Sequence, residues 1–471
     1  MEMHESEARL KKEISFLGLV AVFVGMNIGG ALFSLTIVGA RITGPSLPLA
    51  MILASIPALL ALVPYSMFST AYPTTSATYR YCQLLNPKLA FVAMFTLLLC
   101  MLVGAQPLFA LTFGQYFIEF FKEGMDPDQV KFAAVLIGVG VLAFFYLVNL
   151  MGIKFTAQLQ TILFLVMMAA LVFYVVLGTP YVRAENFTPL FPNGVGKFVA
   201  ATGMLFTFCA GGLFAVDLGG EVIDGSKKYK KALITGMAMV VIIYVLIHIV
   251  TVGVFPYRSL EQGDKLIKVA KSFMGQGFLN FFIICGALVA CATTINMIFT
   301  IISRGFVVIA GEGLFPRLIG KVNERTGTPY WGLTFIFIVC AASLLILTSP
   351  FVTMGEKDPT TIFGAMTNFG LIFPITVVCI AGAIVPFKID AIYKKSRYKM
   401  SKKKVAIVSW TAAVINTIIF LLLCMLMIAS GLLLTVAMFF AFMVISAAYY
   451  YTRVMILKKR GIKPPGRPVI K

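Results

Sequence analysis

Val24-Gly25-Met26-Asn27-Ile28-Gly29-Gly30-Ala31-Leu32-Phe33 lies in the middle of the first long apolar segment of the chain. A membrane-spanning helix gains nothing from three glycines and an asparagine at mid-depth, because glycine weakens a helix and the Asn27 amide must be desolvated. The stretch reads as a break. Irregular backbone at membrane depth survives only where protein buries it or where it lines a wet cavity, so the break marks a binding site. Roughly 180 residues on, Phe208-Cys209-Ala210-Gly211-Gly212-Leu213-Phe214 interrupts a second apolar segment. Small residues also serve tight helix packing. Paired glycines at matching places in two halves, however, are the sequence mark of an inverted-repeat transporter.

Composition sets the class. Of 471 residues, 60% are hydrophobic and 12% charged, with a mean hydropathy of +0.95, more apolar surface than a soluble fold hides. Twelve stretches are long enough to span a bilayer: 14–40, 46–70, 88–121, 130–151, 155–178, 197–221, 231–255, 273–303, 330–348, 362–386, 404–429 and 431–456. The first run is too long for a cleaved signal peptide. The polar groups suggest a ten-helix core over 14–386, with repeats at 14–178 and 197–386. A short cytoplasmic tail (1–13) precedes it, and a basic loop (387–403), two peripheral helices (404–456) and a second tail (457–471) follow.

The net charge of +20 raises the possibility of nucleic acid, but its distribution excludes it. With the N-terminus in the cytoplasm, 29 of the 39 basic residues fall inside and 10 outside, among them Arg9, the Lys227-Lys228-Tyr229-Lys230-Lys231 cluster and eight between Lys388 and Lys404. That bias predicts a multi-pass protein of the cell membrane with both termini cytoplasmic. Basic residues there contact lipid headgroups, and no aromatic interleaving suggests a nucleic-acid face. The eight cysteines sit mostly inside apolar spans, so neither disulfides nor a metal centre is expected. No nucleophile–base constellation supports an enzyme and no residue pattern calls for a cofactor.

Several polar side chains fall within the spans. Asp217 is the one carboxylate well inside an apolar segment, a costly placement that points to function. His248 falls toward the outer end of the seventh segment, as a hydrogen-bonded side chain. Gln106, Asn149, Gln158, Gln160 and Asn368 read as amides bonding neighbouring helices. Thr293-Thr294 and Asn296 lie in the eighth segment. Between the second and third segments, Tyr72-Pro73-Thr74-Thr75-Ser76-Ala77-Thr78-Tyr79-Arg80-Tyr81 reads as a short helix lying at the cytoplasmic face.

Four motifs in order resemble the amino acid permeases of the amino acid–polyamine–organocation superfamily, from about Lys11 to Pro386. Ile28-Gly29-Gly30-Ala31-Leu32-Phe33 is similar to the family's Ile-Gly-Thr-Gly-Ile-Phe, and Tyr72-Pro73 with Tyr79 and Tyr81 to its Tyr-Pro-x-x-Gly-Gly-x-Tyr-x-Tyr loop. Gly211 and Glu221 match the glycine at the sixth-helix break and the glutamate before the basic stretch. Ser303-Arg304, Gly313, Pro316 and Pro329 match the sequence between helices eight and nine. Departures are Ser76 and Ala77 for the loop glycines, Gly311 for an arginine, Gly212 for an aromatic, and Met167 near the lysine of some proton-coupled members.

The resemblance implies twelve helices, with breaks in helices one and six, and alternating access around a central site. The backbone amides of Gly29, Gly30 and Ala31, at a positive helix N-terminus, would suit an α-carboxylate. The carbonyls of Val24, Gly25, Met26 and of Phe206 to Cys209 would suit an α-ammonium. An amino acid carries both charges, and its side chain, read as neutral, would meet Cys209 and Gly212. A large residue at Gly30 or Gly211 would then block binding and leave insertion intact. Glu221, two turns beyond the break, is expected at a cytoplasmic gate. The coupling ion is either a proton on Asp217 or sodium at Thr293 and Thr294. Symport competes with obligate exchange of amino acids or polyamines and with a nutrient sensor that does not transport.

Overall fold

The computed structural model describes residues 10–261, 263–349 and 359–468. Most of the expected N-terminal tail, with Arg9, and the last three residues lie outside them. The described chain is helical, with twelve helices long and apolar enough to cross a membrane. The first span is split into α1 (Phe16–Asn27) and α2 (Gly30–Thr43). Gly44, at a φ of 69°, and Pro45 turn the chain into α3 (Leu47–Ala71). The short α4 (Ala77–Leu85) leads to the third span, α5 (Pro87–Cys100), a π-helical stretch Met101–Ala105, and α6 (Gln106–Phe117). Spans four and five are α7 (Pro127–Leu150) and α8 (Ile153–Gly178).

The sixth span consists of α9 (Gly194–Leu205), the single turn α10 (Thr207–Ala210) and a 3-10 helix Gly211–Asp217. Span seven is α11 (Gly225–Val254). After the short α12 (Leu266–Ala270), span eight runs through α13 (Gln276–Phe281), a π-helical stretch Phe282–Leu288 and α14 (Val289–Gly311). Then come α15 (Tyr330–Leu347), α16 (Pro359–Lys388), the short α17 (Asp390–Lys395), α18 (Lys402–Ala429) and α19 (Leu433–Lys459).

Local chemistry sets the starts. Ser15 caps α1 by accepting the Gly18 N–H at 3.1 Å, and Asn86 caps α5 through the N–H groups of Lys88 and Leu89, with Pro87 next to it. Asp126 and Gln129 form a reciprocal capping box before α7, again with proline in the first position. Burial then sorts the spans. The most apolar window of the first span is 89% buried, whereas those of α18 and α19 are 33% and 28% buried. The glycine-broken span is thus the most buried, while α8 and α15, at 33% and 28%, are as exposed as the last two helices. The last two are less bare than their sequence suggests: Ser409, Asn416 and Ser446 are buried, and Ser446 accepts from Thr96 at 3.1 Å.

Two expectations change. The break in the sixth span is a tightening into 3-10 turns, not an extended gap, and the Phe206 carbonyl is taken by the Cys209 N–H at 3.1 Å. The loop helix begins at Ala77, later than its polar lead-in suggests, and lies wedged inside the protein with Tyr79, Tyr81, Cys82 and Gln83 buried. A helix resting on a membrane surface would leave one face wet. This one is held from both ends.

Candidate functional site

Only Ile28 and Gly29 separate α1 from α2, and the gap is bridged by side chains. Asn27 explains its cost: its Oδ1 accepts the Gly212 N–H at 2.8 Å, and its carbonyl accepts the Tyr244 hydroxyl at 2.5 Å. The two interrupted spans meet directly. A Cβ at Gly211 would lie 2.3 Å from the Met26 carbonyl oxygen, and one at Gly212 2.6 Å from that of Phe23. Those glycines admit backbone to backbone. Gly29 and Gly30 face side chains instead, with Thr294 Oγ1 at 2.1 Å from a Cβ on Gly29, and Cys291 Sγ and Phe109 at 2.8 and 2.9 Å from one on Gly30.

The carbonyl end of α1 is already occupied. Val24 accepts the Ile28 N–H at 2.6 Å, Gly25 accepts the Thr294 hydroxyl at 2.9 Å, and Ala21 accepts the Gln160 amide at 3.3 Å. Thr293 donates to Ala290 at 2.8 Å within its own helix. Behind Gln160 runs a buried chain of amides. Asn296 donates to Gln160 Oε1 (3.2 Å), Asn149 to Asn296 Oδ1 (3.0 Å), and Thr300 to Asn149 Oδ1 (2.8 Å). Each amide looks isolated in the sequence. The clue is their type and depth, but which helices adjoin only the fold reveals.

Beside Met26 lies a cavity of about 20 Å³ walled by carbon and sulfur, including Met101 of the third span, Phe214, Ile298 and Leu371. On the outer side, Tyr116 donates to the Phe33 carbonyl at 2.9 Å, and Lys265 next to α12 pairs with Glu119 at 3.0 Å. His248, wholly buried, has Nε2 3.3 Å from Thr36 Oγ1, deeper among helices than its place near the outer end suggests.

The face that carries Glu13 and α4 is tied through the irregular connector after Asp217. Glu221, fully buried, receives a two-point ion pair from Arg304 at 2.9 and 3.0 Å. Its carbonyl accepts the N–H groups of Glu13 and Ile14 at 3.0 Å, and Ile223 donates back to Ile14. Asp217 caps α4: its Oδ1 accepts the Thr78 N–H at 2.5 Å and its carbonyl the Ser76 N–H at 2.8 Å. Further along α4, Glu312 receives Tyr79 at 2.5 Å, Gln83 at 2.8 and 3.0 Å, and Arg80. Burial first, and then the Glu312 charge, hold the Tyr79 phenol well above its ordinary pKa, so it remains a donor.

Residues 14–453 match a family model described as amino acid permease. The chain belongs to the amino acid permease family. Among curated relatives, the permease is 24% identical to a branched-chain amino acid permease of Bacillus subtilis over 79% of this chain and 82% of that one. It is also 24% identical to a methylthioribose transporter of the same organism, over 79% and 80%. The mitochondrial cationic amino acid transporter 3 of Arabidopsis thaliana matches at 24% over 82% of the permease and 64% of the relative.

Of the residues singled out by sequence, the permease brings Val24, Gly25, Met26, Gly29, Gly211, Gly212 and Thr294 together at one crossing. Gly30 is beside Cys291, and Ala31, Phe206 and Cys209 are buried nearby. Asp217 and Glu221 stand apart, at the ties to α4 and Arg304. Sequence reasoning passed over Tyr244, Arg304 as Glu221's partner, and Glu312.

Proposed function

We propose that this permease is a proton-coupled symporter of neutral amino acids with apolar side chains, working by alternating access in the cell membrane with both termini in the cytoplasm. The observation that carries the substrate reading is the apolar lining beside Met26, of methionine, leucine, isoleucine and phenylalanine, at the crossing of the two interrupted spans, around a space that in this structure is about the size of one water. An ammonium at the negative end of α1 and a carboxylate at the positive end of α2 would leave the side chain facing that wall. A relative named as a branched-chain amino acid permease supports the same class. Repeat symmetry has support in the paired breaks of spans one and six and in the paired π-helical stretches of spans three and eight.

A proton is favoured over sodium because Asp217 is fully buried and pairs with no lysine, arginine or histidine among the described residues. Thr293 and Thr294 donate their hydroxyl hydrogens to the Ala290 and Gly25 carbonyls, contacts that tie span eight to itself and to α1. The test is uptake of leucine, valine and methionine into liposomes under an imposed proton or sodium gradient. Accumulation driven by the proton gradient is expected. Sodium-driven uptake at equal pH overturns the coupling, and uptake only into amino-acid-loaded liposomes indicates exchange.

A further inference from the structure

Asp217 presents an imbalance. One carboxylate oxygen is bonded to the Thr78 N–H, while Oδ2 is buried with no partner. The Ser76 hydroxyl, on a residue whose main chain Asp217 holds, is likewise buried without a partner, and the Thr78 hydroxyl is set between Asp217 and Tyr65. The ionisable groups set around Asp217 are Tyr65 of α3, Tyr81 and Cys82 of α4 and Tyr229 of α11, all neutral near pH 7, and Glu221 is four residues on with its charge met by Arg304. One charge-assisted hydrogen bond and the first turn of a nine-residue helix are weaker than the cost of a buried carboxylate without a counter-ion. A proton on Oδ2 removes the charge and turns the orphan acceptor into a donor. Oδ1 still caps α4.

We propose that Asp217 is a proton-operated latch on α4. While the carboxyl is neutral, α4 stays seated and the cytoplasmic side is shut; when its proton passes to cytoplasmic water, the stranded charge drives α4 from its seat toward water, and the permease opens inward. Asp217 is thus a positioning residue, acting on the helix rather than on the substrate. The inference rests on the transport reading but not on which gradient drives uptake.

Hydrogen–deuterium exchange of residues 77–85 in the detergent-purified full chain, corrected for the chemical exchange rate, tests it. As pH rises from 5 to 8, release of one proton speeds α4 exchange by up to about tenfold per pH unit. In Asp217→Asn, whose amide imitates the neutral carboxyl, exchange is expected to stay slow and flat with pH. In Glu312→Gln, the slope is expected to survive. A flat wild-type profile, or a slope lost in Glu312→Gln, overturns the latch. Should Asp217→Asn not fold, the wild-type and Glu312→Gln profiles decide alone. Proton-driven uptake with flat α4 exchange leaves the coupling and removes the latch; an Asp217-dependent slope with sodium-driven uptake leaves the latch and removes the coupling.

Discussion

Gly211 and Gly30 look equivalent in the sequence and are not. A methyl group at Gly211 meets the Met26 carbonyl, part of a backbone that cannot step aside, whereas at Gly30 it meets the side chains of Cys291 and Phe109. Bulk at Gly211 thus strains backbone, whereas at Gly30 it asks side chains to shift. Gly211→Ala is expected to cost about 1–3 kcal/mol, read as a lowered Tm, while Gly30→Ala lowers substrate affinity with a smaller change in Tm. Equal Tm shifts would contradict this. Glu221→Gln strands the buried Arg304, a loss of roughly 3–5 kcal/mol from whichever state holds the pair. Transport rate is expected to change with substrate affinity nearly constant, and an affinity loss above tenfold in a binding titration would bring Glu221 into the site.

At the scale of elements, four spans are joined by the amide chain that ends on α1. Truncating Asn296 to alanine leaves Asn149 and Gln160 each short of a buried partner, at a cost of about 1–3 kcal/mol for each group. A Gln160→Ala/Asn296→Ala double-mutant cycle, read by thermal unfolding, is expected to give a coupling of about 0.5–3 kcal/mol, and additive effects would break the chain. Such links separate what was legible in the sequence from what was not. The split of the first span was legible, because glycine and asparagine at mid-depth have a local cost. The 3-10 character of the sixth span was not, since its glycines serve an approach by α1 that no local pattern encodes. Likewise Glu312 reads as a loop acid until the fold lays α4 across it.

For the whole molecule, the first span is the most buried and spans five, nine, eleven and twelve the least. Two basic clusters far apart in sequence meet at one edge, where Lys230 lies 5.1 Å from the ring of Tyr398. Juxtamembrane lysines at such an edge favour anionic lipid by about 1 kcal/mol each at low salt. Uptake is expected to be faster in liposomes containing anionic lipid than in zwitterionic ones, with the difference shrinking in 0.5 M salt; equal rates would deny the edge a role.

The amide chain has a direction. Thr300, Asn149, Asn296 and Gln160 each hand a hydrogen forward, and the last is spent on the Ala21 carbonyl. A cation settling on that carbonyl needs the Gln160 oxygen turned toward it, and the turn would face nitrogen against nitrogen at Asn296 unless every amide behind it turned as well. The orientation of the group that faces the Ala21 carbonyl is thus set across four spans, and exchanging one amide does not reverse it.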